Sequence, residues 1–135
     1  MKIIYSSLIC AIVIALGAGC KKEAGEGGKA SVKGKVYAYD WDNTQLYKIS
    51  EGYSSGERVY ILYGDKTTVG DDVHTSLDGS FEFKYLNKGH YKVFVNSLDT
   101  AYKLKGNDTY IPIVHEFDIT ETKQTIDLED IVINK

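Results

Sequence analysis

The chain has 135 residues, of which 43% are hydrophobic, and it carries a formal net charge of −3. This length suits one domain rather than two. The chain is mildly acidic and its sequence has no basic stripe. It therefore lacks the cluster of positive charge that is typical of a protein that binds nucleic acid. We therefore expect no nucleic-acid partner.

The first 19 residues have the features of an export signal. Lys2 gives a positive start, and residues 3–16 (IIYSSLICAIVIAL) are almost wholly apolar. A run of 14 residues is shorter than the roughly 20 residues of a membrane-spanning helix, but it suits the apolar core of a signal peptide. Small residues at 17–19 then precede Cys20. We expect residues 1–19 to be a signal peptide that is removed.

The residues around Cys20 resemble the lipobox of bacterial lipoproteins, in which a cysteine after small residues is acylated and becomes the new N-terminus. Gly17 stands where that motif usually has leucine, and Leu16 lies one place earlier. Looser motifs of this kind are similar to those of Bacteroidetes lipoproteins. The resemblance implies a membrane anchor of palmitate-type acyl chains on Cys20, with the outer membrane as the expected location. An ordinary signal peptide that leaves Cys20 as a free thiol is the alternative, and the face of the membrane stays open.

Removal of residues 1–19 leaves Cys20 as the single cysteine of the mature chain, because Cys10 lies in the signal. The mature chain has 15 Lys+Arg and 19 Asp+Glu, a net charge of −4. Without a disulfide, its apolar core must stabilise it. Residues 20–30 are charged and rich in glycine, which predicts a flexible tether after the anchor. The folded domain is expected at residues 31–135.

Short alternating runs separated by turn residues predict an all-β domain from Ser31 onward. Asp78-Gly79 lies between two such runs and predicts a hairpin with positive φ at both residues. A change of phase at Glu129-Asp130 predicts a β-bulge. The spacing is typical of a seven-stranded antiparallel Greek-key β-sandwich, with strands at 31–39, 58–63, 73–77, 81–85, 91–95, 111–119 and 125–133.

The stretch HTSLDGSFEFKYLNKGHYKVFV, residues 74–95, resembles the core signature of carboxypeptidase regulatory-like domains, which have a transthyretin (prealbumin)-like sandwich. In that family a T-x-x-DG-x-F-x-F motif is followed by L-x-x-G-x-Y-x-V. The resemblance implies the fold alone, because the matching residues Asp78, Gly79, Gly89 and Tyr91 specify turns and core rather than chemistry.

Sequence motifs for catalysis are missing. Hydroxyisourate hydrolases share the transthyretin-like fold and end in Tyr-Arg-Gly-Ser, whereas this chain ends in residues 131–135, IVINK. The chain also has no Gly-x-Ser-x-Gly elbow. We expect a non-enzymatic protein with no catalytic residues, and the alternative is a hydrolase with an unrecognised site.

Lys33 or Lys35 together with Asn134 resemble the Lys–Asn pair that forms an isopeptide bond in collagen-adhesin domains. The acid that promotes this bond is replaced by Val95. The interpretation we favour is therefore two solvated lysines and a polar residue near the C-terminus.

Metal-binding patterns are incomplete. Residues 40–51 have acids at positions 1, 3 and 12 of a calcium-loop window, but Gln45 replaces the glycine that the sharp turn requires. The three histidines, His74, His90 and His115, lack the close spacing of a zinc site. We expect no metal site and no cofactor, while calcium binding by residues 40–56 stays open.

Residues 40–56 form a long polar segment with aromatic side chains, which we call the Trp41 loop. Loops of this length are usually functional or disordered, and flat rings beside carboxylates and amides are suited to holding sugars or proteins. The candidate ligand-binding residues are Trp41, Asp40, Asp42, Asn43, Tyr47 and Tyr53, and the outward-facing Tyr37 and Tyr39 extend the surface. The sequence predicts a cell-envelope binding or scaffold module with an envelope protein or a glycan as partner; the alternative is a carbohydrate-binding surface lipoprotein that uses this loop.

Overall fold

The computed structural model describes residues 22–100 and 109–135, so the predicted signal peptide and Cys20 lie outside the described residues. Within those ranges we find no helix with the length and apolar character needed to cross a bilayer. The regular elements there are strands, which confirms the all-β class: β1 (Glu26–Trp41), β2 (Lys48–Tyr53), β3 (Arg58–Tyr63), β4 (Asp71–His74), β5 (Ser80–Leu86), β6 (Gly89–Leu98), β7 (Tyr110–Ile119), β8 (Thr125–Asp127) and β9 (Ile131–Asn134).

The strands form two sheets. In the first sheet the long strand β1 is central: its N-terminal half pairs antiparallel with β5 and its C-terminal half with β2. The short strands β8 and β9 run parallel to β1. The second sheet is antiparallel with the order β4-β3-β6-β7. This arrangement gives the two layers of a sandwich.

The strand count and the pairing differ from the prediction of seven antiparallel strands. β2 lies inside the predicted Trp41 loop, where its mostly exposed side chains leave no apolar alternation to mark it. The predicted strand at 125–133 is two strands, β8 and β9, which both pair with β1 in the parallel direction. Between them Leu128 still donates its N–H to the carbonyl of Lys33, at 2.9 Å.

Alternate residues of the facing strands meet between the sheets and form the core. Tyr91 is its largest fully buried side chain, and its ring stacks on Phe117 with centroids 5.5 Å apart. The rest of the core is mostly β-branched or aromatic, as strands favour: Ala30, Val32, Val36, Ala38, Val59, Ile61, Phe81, Phe83, Leu86, Val93, Val95, Ile119, Ile131 and Ile133.

The flexible tether predicted at 20–30 is too long, because β1 already begins at Glu26 and Ala30 is only 1% exposed. Gly25 donates its N–H to the hydroxyl of Tyr91 at 2.9 Å. A Cβ atom on Gly28 would lie 1.9 Å from the carbonyl oxygen of Leu86. The glycine-rich composition therefore permits close backbone packing here, rather than a mobile link.

The predicted turn at Asp78-Gly79 is confirmed, but the prediction that its two flanking strands pair as a hairpin is wrong. Gly79 donates its N–H to the carbonyl of Ser76 at 2.9 Å, and Ser76 donates to Ser80 at 2.8 Å. Only Gly79 of the pair has positive φ, at 77°. The flanking strands pair with different neighbours, β4 with β3 and β5 with β1, so this turn carries the chain from one sheet to the other.

Candidate functional site

The six residues predicted for the site do not form one cluster. Asp42 shapes a turn over residues 42–47: its carboxylate accepts the N–H groups of Leu46 and Tyr47, at 3.0 and 3.1 Å, and the hydroxyl of Thr44. These bonds, the Thr44 hydroxyl above all, hold the pKa of Asp42 below its usual range. The carboxylate of Asp42 thus stabilises its own turn, on which Asn43 and Tyr47 are exposed.

The acids of the calcium-like window take separate partners. Asp40 accepts a hydrogen bond from the hydroxyl of Ser50 at 2.7 Å, and Glu51 pairs with Lys48. Among the described residues, no group of three or more histidine, cysteine or acidic side chains is placed to hold a metal ion.

Trp41 is half-buried at the end of β1 rather than free at the tip of a loop. Its indole N–H donates to the side-chain oxygen of Asn134 at 2.9 Å, and its backbone N–H donates to the carbonyl of Lys135 at 2.9 Å. Trp41 therefore fastens the last residues of the chain to β1.

The outward-facing aromatic side chains of β1 and β2 share one surface, which we call the tyrosine face: Tyr37, Tyr39, Trp41 and Tyr53. Tyr37 lies opposite Tyr53 across the two strands, with ring centroids 5.4 Å apart. Tyr37 also meets Tyr39 edge-on at 5.7 Å. Edge-to-face pairs of this kind are favourable beyond their buried area, so the rings support one another in fixed positions.

Charged groups of both signs surround these rings. The ammonium of Lys35 lies 4.7 Å from the centre of the Tyr53 ring, and that of Lys48 lies 5.0 Å from the centre of Tyr39. The Tyr53 hydroxyl donates to Asp130 at 2.9 Å, and this bond raises the pKa of Tyr53. Tyr53 is therefore neutral near pH 7. Hydroxyl, ammonium and carboxylate groups thus lie beside flat apolar surfaces.

An open cleft of about 790 Å³ adjoins the tyrosine face at Tyr53 and Lys35. Its other polar lining groups are Lys33, His74, Ser76, Ser80, Glu82, Asp127 and Asp130. Lys33 and Asp127 form an ion pair at 3.2 Å. The face and the cleft together give an exposed surface that combines rings with hydrogen-bonding groups.

The structure does not bring the isopeptide-like residues together. Asn134 lies opposite Tyr39, whereas Lys35 and Lys33 lie four and six positions earlier on the same strand. The histidines lie on three different strands, and His90 contacts Asp118 and Glu116 at 2.8 and 3.3 Å.

Sequence reasoning missed that β2 carries Tyr53 back along β1 to Tyr37. It also missed the roles of Lys48 and Glu51, which lie beside the rings. One signal was available: Tyr37, Tyr39 and Trp41 occur at alternate positions, which places all three on one face of a strand.

No protein-family model matches the chain, and no curated protein sequence matches it. Among solved structures, it is similar to a Pseudomonas aeruginosa protein for which carbohydrate binding has been proposed, with 10% identity and a TM-score of 0.47 over 83% of this chain and 92% of that chain. It is also similar to the pilus adhesin of Streptococcus pneumoniae, with 22% identity and a TM-score of 0.34 over 67% of this chain and 11% of that chain. These likenesses concern the fold alone.

Proposed function

We propose that this chain is a non-enzymatic binding module of the cell envelope, anchored to the membrane through acylated Cys20, and that its tyrosine face binds glycans. The observation that carries the proposal is the row of four aromatic side chains on the outer surface of β1 and β2, flanked by charged and amide groups.

The strand β2 supports a surface role because it contributes no residue to the core. All its side chains are exposed except at the half-buried Gly52. Its pairing with β1 places Tyr53 and Glu51 beside Tyr37 and Tyr39. A strand that buries so little gains little stability from burial, which supports a role for β2 in the exposed surface.

The chemistry of this surface suits sugars. A pyranose ring presents apolar C–H faces that pack on aromatic rings, and hydroxyls that bond to polar groups at the ring edge. The tyrosine face offers both kinds of contact, with Lys48, Glu51 and Asn134 as polar neighbours. An envelope protein is the alternative partner for this surface.

Attachment to the envelope is supported by the sequence. An apolar run and small residues precede Cys20, which is the single cysteine left after residues 1–19 are removed. Acylation would use that cysteine and leave the domain without a thiol.

The test measures binding of a panel of envelope polysaccharides and peptidoglycan fragments to the purified full-length protein in detergent, for the wild type and for Tyr39→Ala. We expect the wild type to bind at least one glycan, and Tyr39→Ala to weaken that binding by about fivefold or more. Truncation of an aromatic hot spot near the centre of an interface costs more than about 1 kcal/mol.

The matched control is Tyr85→Ala, which removes another exposed tyrosine, 70% exposed, on β5. It should leave glycan binding unchanged, and thermal denaturation should show that both variants fold. Equal binding by the wild type and Tyr39→Ala, or no binding to any glycan of the panel, would contradict the proposal.

A further inference from the structure

The described chain begins at one end of the sandwich, which we call the anchor pole. It is built from residues 22–29, the turns at 64–66 and 87–89, and the turn at 120–124. Asn87 donates its N–H to the carbonyl of Gly25 at 2.8 Å, and Gly64 donates to His90 at 2.8 Å. A Cβ atom on Gly89 would lie 2.6 Å from the Cβ of Ala24. The chain is therefore packed onto this pole from Ala24 onward.

Lysines without a carboxylate partner gather at this pole. Six of the eleven lysines that the structure describes lie within 4.0 Å of an acidic group: Lys33, Lys35, Lys48, Lys84, Lys92 and Lys135. The remaining five make no ion pair with a described residue, and all of them belong to the segments of the anchor pole: Lys22, Lys29, Lys66, Lys88 and Lys123.

Three of these lysines line one cleft. It has a volume of about 460 Å³, and its lining contains Lys22, Lys29 and Lys88 but no acid. A neighbouring cleft of about 610 Å³ shares Lys22 and Lys88, adds Lys66 and His90, and has Glu23 and Asp65 as its acids. The first cleft is thus the most positive part of the pole.

The distance to the proposed anchor is short. Cys20 lies five residues before Gly25, and an extended chain of five residues spans at most about 18 Å. A lipid on Cys20 therefore keeps the anchor pole close to the bilayer surface. Strand β1 leaves this pole after Lys29 and continues for 12 more residues to Trp41, a length of about 40 Å.

We propose that the anchor pole docks on the membrane surface, with its unpaired lysines against the phosphates of anionic lipid headgroups. This inference rests on the proposed acylation of Cys20. The domain as a whole is acidic. In this orientation the five lysines that make no ion pair with a described residue face the lipid. In this orientation the C-terminal half of β1 carries the tyrosine face away from the membrane.

The experiment uses the full-length acylated protein in two kinds of vesicle, phosphatidylcholine alone and phosphatidylcholine mixed with phosphatidylglycerol. A nitroxide label is placed at Thr122→Cys on the anchor pole or at Thr44→Cys in the turn after β1, both exposed positions. Each introduced cysteine is the only free thiol, because Cys20 is acylated. The measurement is the collision rate of the label with a water-soluble paramagnetic reagent.

We expect the label at Thr122 to be shielded in anionic vesicles and exposed in phosphatidylcholine, while the label at Thr44 stays exposed in both. Each lysine near an anionic surface favours binding by about fivefold. The combined variant Lys22→Gln, Lys29→Gln and Lys88→Gln should thus lower the ratio of docked to undocked protein by up to about a hundredfold, and high salt should act in the same direction.

The matched control removes three paired lysines, by Lys33→Gln, Lys84→Gln and Lys92→Gln, and should keep the shielding. If the protein floats with the vesicles but the label at Thr122 is equally exposed in both lipids, the docking is overturned and the anchor is not. Protein that does not float with either vesicle would overturn the anchor itself, and the docking with it.

Discussion

Gly79 combines two requirements that only glycine meets. Its φ of 77° is a conformation that β-branched residues resist, and a Cβ atom there would lie 2.9 Å from both the Cβ of Tyr53 and the carbonyl oxygen of Val36. We expect Gly79→Val to lower the free energy of unfolding by more than the roughly 1 to 3 kcal/mol of backbone strain alone. Urea denaturation measures the change.

Two other glycines serve as controls that distinguish the backbone strain at positive φ from the steric clash of an added side chain. Gly56 has a similar φ of 76° but no atom within 4 Å of a Cβ, whereas Gly52 has open space and no positive φ. Gly56→Val should lower the free energy of unfolding by the backbone strain alone. Gly52→Val should lower it least. If Gly79→Val lowers the free energy of unfolding no more than Gly56→Val does, a side chain at residue 79 does not collide with β1 and β2. That result would contradict the close packing of this turn against the two strands.

His90 lies between two acids on the surface of the second sheet. Its hydrogen bond to Asp118, helped by the nearby Glu116, raises its pKa above the ordinary value of 6.5. We expect an NMR titration of the imidazole to show this raised pKa, and Asp118→Asn to lower it. Asp72→Asn removes a surface acid that pairs with Arg58 instead, and it should leave the His90 titration unchanged.

The sign of the pH effect follows from the raised pKa of His90. Because the folded protein binds this proton more tightly than the unfolded chain, the stabilisation is fully present below pH 6.5 and is lost as pH rises through the folded pKa. The contribution is small because the side chain is 36% exposed. A His90 pKa at or below 6.5 would contradict this account.

At the scale of elements, Trp41 and Asn134 join the end of β1 to β9. The indole–amide bond of 2.9 Å should contribute about 1 kcal/mol, as hydrogen bonds in folded proteins generally do. We expect Trp41→Phe and Asn134→Ala each to lower the free energy of unfolding, and the double variant to cost less than the sum of the two. Strictly additive costs in this double-mutant cycle would show that the bond contributes nothing.

The strands that bury an apolar face were predictable from the sequence, because apolar residues at alternate positions indicate the face that packs inward. Val59 and Ile61 on β3, and Tyr91 and Val93 on β6, are examples, and all four are buried. β2 was not predictable in this way, since it is defined by backbone pairing with β1 and buries almost nothing. The turn at Gly79 was predictable from its residues, but the partners of the flanking strands depend on distant parts of the chain. Local patterns carry no information about those partners.

At the scale of the whole molecule, the candidate site was only partly predictable. Trp41 and Tyr53 do belong to one surface, but it is an outer face of two paired strands rather than a loop. Ring contacts on this face run from Tyr53 through Tyr37 to Tyr39. The acids Asp40 and Asp42 bind neighbouring groups within their own segment instead of facing outward together. The roles of these two acids depend on how β1 pairs with β2. The composition of the Trp41 loop does not predict that pairing.

The proposed binding module and the docked anchor pole both require an acylated Cys20. The most direct test is therefore mass spectrometry of the mature N-terminal peptide from protein extracted out of the membrane fraction, with Cys20→Ala as the companion variant. We predict a chain that begins at Cys20 and carries the mass of its acyl groups, and a Cys20→Ala protein that no longer partitions with the membrane. An unmodified N-terminus at another residue would contradict the account.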